Sequence, residues 1–214
     1  MNSPAHRYFP DPVVILGNGE FPRHPLPLEI LKSAKTLICT DGSTDKALKA
    51  GLSPTLTIGD LDSITTQSEN ISGEIVHIPD QNRTDLEKAL EWCLENGIQK
   101  VTLIGISNQR EDHTLANFFV IQRYAALLDI TVVTNHFTVV YVDSHRQFTV
   151  QRGQKVSLVP IVRTENVTTD GLKFALDSEP LELGARGISN EAVGNSFSVT
   201  VDKGGIFVFV AHQI

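Results

Sequence analysis

The chain changes character once along its length, and that change limits the folds open to it. Up to about His136, short apolar runs alternate with stretches of helical periodicity. The runs Val13–Leu16, Thr36–Thr40, Leu56–Ile58, Glu74–Ile78, Val101–Ile104 and Ile130–Val133 read as strands. Residues 27–35, 44–50, 86–95 and 113–128 read as helices. The third is the clearest: Leu86, Ala89, Leu90, Cys93 and Leu94 fall at helical spacing, Thr84-x-x-Glu87 forms a capping box, and Asn96-Gly97 is a stop signal. Alternation of this kind predicts a mainly parallel, Rossmann-like sheet flanked by helices. After His136 only β-rich runs remain, at 137–142, 147–150, 155–162, 171–176, 196–201 and 206–211, punctuated by glycines. They predict a small antiparallel sandwich or barrel. The expected fold class is therefore α/β followed by a small antiparallel β-sandwich or barrel. The expected domains are 1–140 and 141–214.

With 214 residues and 41% hydrophobic content, the chain can bury a substantial core. Its net charge of −7 argues against a basic face for nucleic acid. No apolar run approaches the ~20 residues of a membrane span. The first eleven residues lack a signal-peptide pattern, so the expected location is cytoplasmic. Cys39 and Cys93 sit in apolar stretches and are expected to be buried free thiols.

Three acids carry the chemistry. Asp60 and Asp62 follow the Leu56–Ile58 run, and carboxylates two apart on an extended chain point the same way. Asp85 opens a helix. Together they suit a hard cation such as Mg²⁺, which commonly holds substrate phosphates as well. Plain alternatives stand beside this reading. Gly-Asp and Asp-Ser are ordinary turn formers, and Asp85 with Thr84 also makes a good helix start. Arg110 can clamp phosphate or form a surface ion pair. His113 can cap a helix. Glycine and polar residues recur after the strands, at Gly17-Asn18-Gly19, Asp41-Gly42, Gly59-Asp60, Asp80-Gln81 and Gly105, where parallel sheets bind ligands. A Walker-type phosphate loop is absent, as is zinc-ligand spacing.

Taken in order, Gly59-Asp60-Leu61-Asp62-Ser63, Asp80-Gln81-Asn82-Arg83-Thr84-Asp85, Arg110-Glu111-Asp112-His113 with Asn117, Gly171-Leu172-Lys173-Phe174 and Ser189-Asn190 resemble the thiamin pyrophosphokinase family. The resemblance runs from about Val13 to Phe209. It implies an enzyme that transfers the pyrophosphoryl group of MgATP to thiamin, an α/β domain joined to a sandwich that binds thiamin and dimerises, and a homodimer. It implies Asp60, Asp62 and Asp85 as catalytic and metal acids. It implies Asp41, Gly42, Thr84, Arg110, Asp112 and His113 on the ATP side, and Gln81, Ser189 and Asn190 on the thiamin side. Departures are Ser43-Thr44 after Asp41-Gly42, Asn108-Gln109 before Arg110 in place of a glycine pair, and Asn82 where many members carry an acid. Two other functions remain open at this point: a pyrophosphokinase for another hydroxymethyl substrate, such as a pterin, and a nucleotide- or thiamin-binding regulator without catalysis.

Overall fold

The structure, a computed structural model, describes residues 8–66, 71 and 73–213. The chain divides into two compact units, one ending at Asn135 and the other beginning at His136. The sequence boundary of 140/141 lies a few residues further on.

In the first unit the element order is β1 (Val13–Leu16), α1 (Pro25–Ser33), β2 (Thr36–Thr40), α2 (Ser43–Lys49), β3 (Leu56–Gly59), β4 (Glu74–His77), α3 (Asp85–Glu95), β5 (Lys100–Ile104), α4 (Glu111–Tyr124) and β6 (Asp129–Val133). The strands lie in the order β6-β5-β1-β2-β3-β4, and every pairing among them is parallel. β1, β2 and β3 are buried at every position, as expected of strands covered on both faces. From β1 the chain steps outward through β2, β3 and β4, then returns to the other side of β1 as β5. That reversal opens a crevice beyond the carboxyl ends of the central strands.

Two helix starts differ from the expectation. α1 begins at Pro25, where a proline tolerates its missing N–H, and the His24 imidazole accepts the Leu26 amide. α4 begins at Glu111, so Asp112 and His113 belong to its first turn, and the helix ends at Tyr124. The capping box of α3 is half formed. Thr84 Oγ1 accepts the Glu87 amide, but the Glu87 carboxylate is drawn off to Arg123, 2.9 Å away.

The second unit comprises β7 (Phe137–Val142), β8 (His145–Thr149), β9 (Lys155–Pro160), β10 (Thr164–Asp170), β11 (Glu179–Leu181), β12 (Asn190–Glu191), β13 (Ser196–Thr200) and β14 (Ile206–Ala211). One sheet runs β12-β9-β14-β7 and the other β11-β10-β13-β8, with antiparallel pairing throughout. Val142, Val156, Leu158 and Val208 of the first share one core with Val167, Leu181, Phe197 and Val199 of the second. The expected strand at 171–176 does not form. Gly171 turns at φ +78, where a Cβ would stand 2.5 Å from Ser196 O, and Leu172 makes only an isolated bridge to Ala192. The strand lies just before it, as β10.

Candidate functional site

Because β2 and β3 pair in parallel with Thr40 beside Ile58, the residues that leave them emerge side by side. Asp41 follows β2 and Asp60 follows β3. Both line a cleft of about 680 Å³ at the carboxyl ends of the strands. Asp41 is buried, and its Oδ2 accepts the Ser63 amide at 3.2 Å. Its Oδ1 is buried without a hydrogen-bond partner. One carboxylate oxygen each from Asp41, Asp60 and Asp62 lie within 4.8 Å of one another. Gly59 makes the approach possible: a Cβ there would stand 3.0 Å from Asp41 Cβ and 3.1 Å from Asp85 Oδ1. Leu61 takes φ +67, a conformation that a bulky residue adopts only where its surroundings impose it.

Electrostatics separate these acids. Burial, and then the charges of Asp85 and Asp60, push the Asp41 carboxyl up to about 6 against the amide bond from Ser63. Burial also raises Asp60, but Gln81 Nε2 at 2.7 Å, the Asp62 amide and the Lys88 charge together bring it below its ordinary value. Of the expected acids Asp60, Asp62 and Asp85, the first two converge with Asp41. Asp85 stands apart because Lys88 claims it: Lys88 Nζ lies 2.9 Å from Asp85 Oδ1 and 4.0 Å from Asp60 Oδ2.

The start of α3 supplies a second wall. Gln81, Thr84, Asp85 and Lys88 all line the cleft. Arg83 is tied to Asp80 at 2.6 Å and to Glu91, which also accepts the Tyr124 hydroxyl. The third wall is the start of α4, where Arg110 and His113 line the cleft. Arg110 Nη2 pairs with Asp112 Oδ2 at 2.6 Å, and both side chains are about two-thirds exposed. That bond, followed by the His113 amide, holds the Asp112 carboxyl at about 2. Asp112 itself faces Arg110 rather than the cleft lining.

The floor is backbone. Gly19 N donates to Gly105 O at 2.6 Å, and Gly17 N to Ile104 O at 2.8 Å, so the loops after β1 and β5 run in contact. Lys46 Nζ donates to Asn18 O and Gly19 O, each at 2.7 Å, and to Gln109 Oε1 at 3.0 Å. Gln109, one of the departures noted in the sequence, is thereby held as a strut. Gly42 is the N-cap of α2, and a Cβ there would strike Asn18 Nδ2 at 2.7 Å.

Ser189 and Asn190 belong to the second unit. Ser189 is exposed, takes φ +60, and its amide donates to Ser157 Oγ. The Asn190 amide is buried and already engaged. Its Oδ1 accepts the Phe174 amide at 3.0 Å, and its Nδ2 donates to Phe174 O at 2.7 Å. Asn190 therefore fixes the segment that presents Phe174, whose ring is largely exposed.

Sequence reasoning missed Lys88 and Asp45, and placed Asp41 on the ATP side. Lys88 had a signal, an acid three residues before it on a helix. Asp45 had none, because its partners are twenty residues away in the chain. Chemically the cleft offers a carboxylate cluster with one orphaned buried oxygen, two helix N-termini and a guanidinium. Such a set suits a divalent cation together with phosphates. Cys39 and Cys93 are buried and free, and burial pushes both thiols up to about 12.

Comparison with known proteins agrees across both units. Residues 28–133 match the family model for the thiamin pyrophosphokinase catalytic domain, and residues 140–206 match that for the thiamin pyrophosphokinase vitamin B1 binding domain. Thiamin pyrophosphokinase 1 of Caenorhabditis elegans is 30% identical over 166 residues, covering 71% of this chain and 68% of the relative. Thiamine pyrophosphokinase of Bacillus subtilis is 27% identical over 177 residues, covering 78% and 83%. Among solved structures, thiamine pyrophosphokinase from Bacillus subtilis superposes with a TM-score of 0.81 at 22% identity, covering 94% of this chain and 99% of that one. Thiamin pyrophosphokinase from Candida albicans does so at 0.77 and 14% identity, covering 94% and 89%.

Proposed function

The chain belongs to the thiamin pyrophosphokinase family, and on that premise we propose that it transfers the pyrophosphoryl group of ATP to the hydroxyl of thiamin, releasing AMP. The observation that carries the reading is the convergence of Asp41, Asp60 and Asp62 at the mouth of the parallel sheet, with a buried oxygen of Asp41 left without a partner. An ionised carboxylate in that position is costly unless a cation meets it. These three residues would hold Mg²⁺, which when bound neutralises charge on the transferred phosphates.

The chain's own residues supply the rest. Transfer forms one P–O bond at the β-phosphorus from the thiamin oxygen and breaks the one to the α-phosphate bridge. The task is in-line positioning and charge balance more than covalent chemistry. The N-termini of α3 and α4 both face the cleft, and their free amides attract phosphate oxygens. Asp41, Gly42, Thr84, Arg110, Asp112 and His113 form the ATP side of this proposal. Arg110 reaches a phosphate by exchanging Asp112 for it. Asp85, held by Lys88 and outside the three-acid group, accepts the hydroxyl proton. Gln81, Ser189 and Asn190 form the thiamin side, Asn190 by holding the Phe174 segment. A homodimer and a cytoplasmic setting, where ATP is available, belong to the same proposal. The pterin-type and non-catalytic alternatives are not favoured, since both units match this family.

The test is direct. The protein mixed with ATP, Mg²⁺ and thiamin releases AMP and thiamin diphosphate in equal amounts. AMP release that needs a pterin alcohol instead, or no AMP at all, would overturn the reading.

A further inference from the structure

Asp45 lies outside the three-acid group, yet it holds the loop that carries two of its members. After β3, residues 60–66 form irregular loop. Asp60 and Asp62 stand at the start of that loop, facing Asp41. Three like charges at this spacing repel one another, and Leu61 adds backbone strain. Left to itself, such a loop would open.

The restraint comes from α2. Asp45 is buried in its first turn and accepts four hydrogen bonds from one dipeptide. Oδ2 takes the Thr65 amide at 2.9 Å and the Thr65 hydroxyl. Oδ1 takes the Thr66 amide at 3.1 Å and the Thr66 hydroxyl. Burial alone would raise this carboxyl, but the four donors hold it at about 2, so it stays ionised and a strong acceptor. With both oxygens doubly engaged, Asp45 functions as an anchor and not as a ligand. Nearer the acids, the loop is tied by the Ser63 amide to Asp41 and by Gln81 to Asp60, and both of those carboxylates are members of the repelling group or its neighbours. Among the described residues, Asp45 is the anchor that lies outside the charge cluster.

We propose that Asp45 is the positioning residue of the cation site, fixing residues 60–66 so that Asp41, Asp60 and Asp62 are assembled before a cation arrives. This rests on the reading that those three acids hold a divalent cation. A preassembled site spares the cation the cost of ordering the loop, so loss of the anchor weakens cation affinity more than it slows chemistry.

Mn²⁺ is the probe, with free ion counted by electron paramagnetic resonance during titration into the full-length protein. Asp45→Asn should weaken Mn²⁺ binding by at least ~tenfold, the usual scale for an outer-sphere partner. The Mg²⁺ concentration for half-maximal turnover should rise by a similar factor, while kcat at saturating Mg²⁺ stays within ~threefold. Thr65→Val with Thr66→Val keeps the amide donors and loses the hydroxyls, and should shift binding the same way by less. Serine at both positions should restore it. A role in stability alone would lower the Tm of Asp45→Asn and leave Mn²⁺ affinity unchanged, and that result overturns the inference. If Asp45→Asn does not fold, the double valine variant decides by the same criterion. A wild-type protein that binds no Mn²⁺ defeats the cation reading itself, and this inference with it.

Discussion

Lys88 Nζ lies 2.9 Å from Asp85 Oδ1 although only 1% of the lysine side chain is exposed. The pair sits one helical turn apart on α3, at the edge of the acid cluster. It holds Asp85 beside the group of Asp41, Asp60 and Asp62, and the same ammonium lies 4.0 Å from Asp60 Oδ2.

The first prediction follows from that arrangement. Lys88→Met removes the only buried positive charge described in the cleft lining, leaving Asp85 and Asp60 facing each other without it. Turnover should fall by at least ~100-fold, the scale of losing one electrostatic stabiliser in a closed site. Asp85→Asn should fall comparably, and the double variant should be little worse than either, because the two act as a unit. Additive losses would show that Lys88 and Asp85 serve separate steps.

Asp41 yields a prediction with a pH sign. Its carboxyl is raised in the folded protein from 3.8 to about 6. Its stabilising contribution is therefore fully present below about 3.8 and lost as the pH rises through 6. At pH 7 the cation-free protein carries a penalty on the order of 3 kcal/mol from this group. Asp41→Asn keeps an acceptor for Ser63 and turns the orphaned oxygen into a donor facing acids. Its Tm without Mg²⁺ should exceed that of wild type at pH 7.5 and match it near pH 4. Added Mg²⁺ should raise the wild-type Tm at pH 7.5 and leave the variant's unchanged. Equal responses to Mg²⁺ would remove Asp41 from the ligand set.

Much of this architecture was legible because apolar periodicity is a strong signal where strands are buried on both faces. Val13–Leu16 and Thr36–Thr40 were placed to the residue. The misses have physical causes. β10 reads Thr-Glu-Asn-Val-Thr-Thr-Asp, so it is a strand whose buried positions are partly threonine, and no hydrophobic alternation reveals it. Residues 171–176 look like a strand by composition, but Gly171 needs a turn. In the site, Asp60 and Asp62 announce themselves by spacing. Asp41 and Asp45 become ligand candidate and anchor only through β2–β3 pairing and a loop folded back across twenty residues. Short-range pattern carries no trace of such contacts.

Thr84 separates helix capping from nucleotide contact. Its hydroxyl accepts the Glu87 amide at 3.3 Å, and it also lines the cleft. Thr84→Ala should cost about 1 kcal/mol of stability through the lost cap. If the hydroxyl also meets ATP, the KM for ATP should rise several-fold beyond what the small stability loss explains, and Thr84→Ser should restore both. A lowered Tm with unchanged ATP kinetics would confine Thr84 to capping.

Asn190 is the sharpest test of the second unit's part in binding. Its amide pairs both of its polar groups with the Phe174 backbone, so truncation leaves a part-buried N–H and C=O without that partner. Asn190→Ala should therefore cost about 1 kcal/mol, from the lost pair of hydrogen bonds. Asn190→Asp keeps the acceptor for Phe174 N–H but loses the donor to Phe174 O, and should fall between. If the Phe174 segment forms part of the thiamin site, both variants should raise the KM for thiamin well before they touch the KM for ATP, and Phe174→Ala should do the same with little loss of Tm. Steady-state kinetics with each substrate varied in turn, beside a melt of each sample, gives the answer. A rise confined to the ATP KM would move the segment to the nucleotide side, and a loss of Tm alone would make Asn190 a fold residue only.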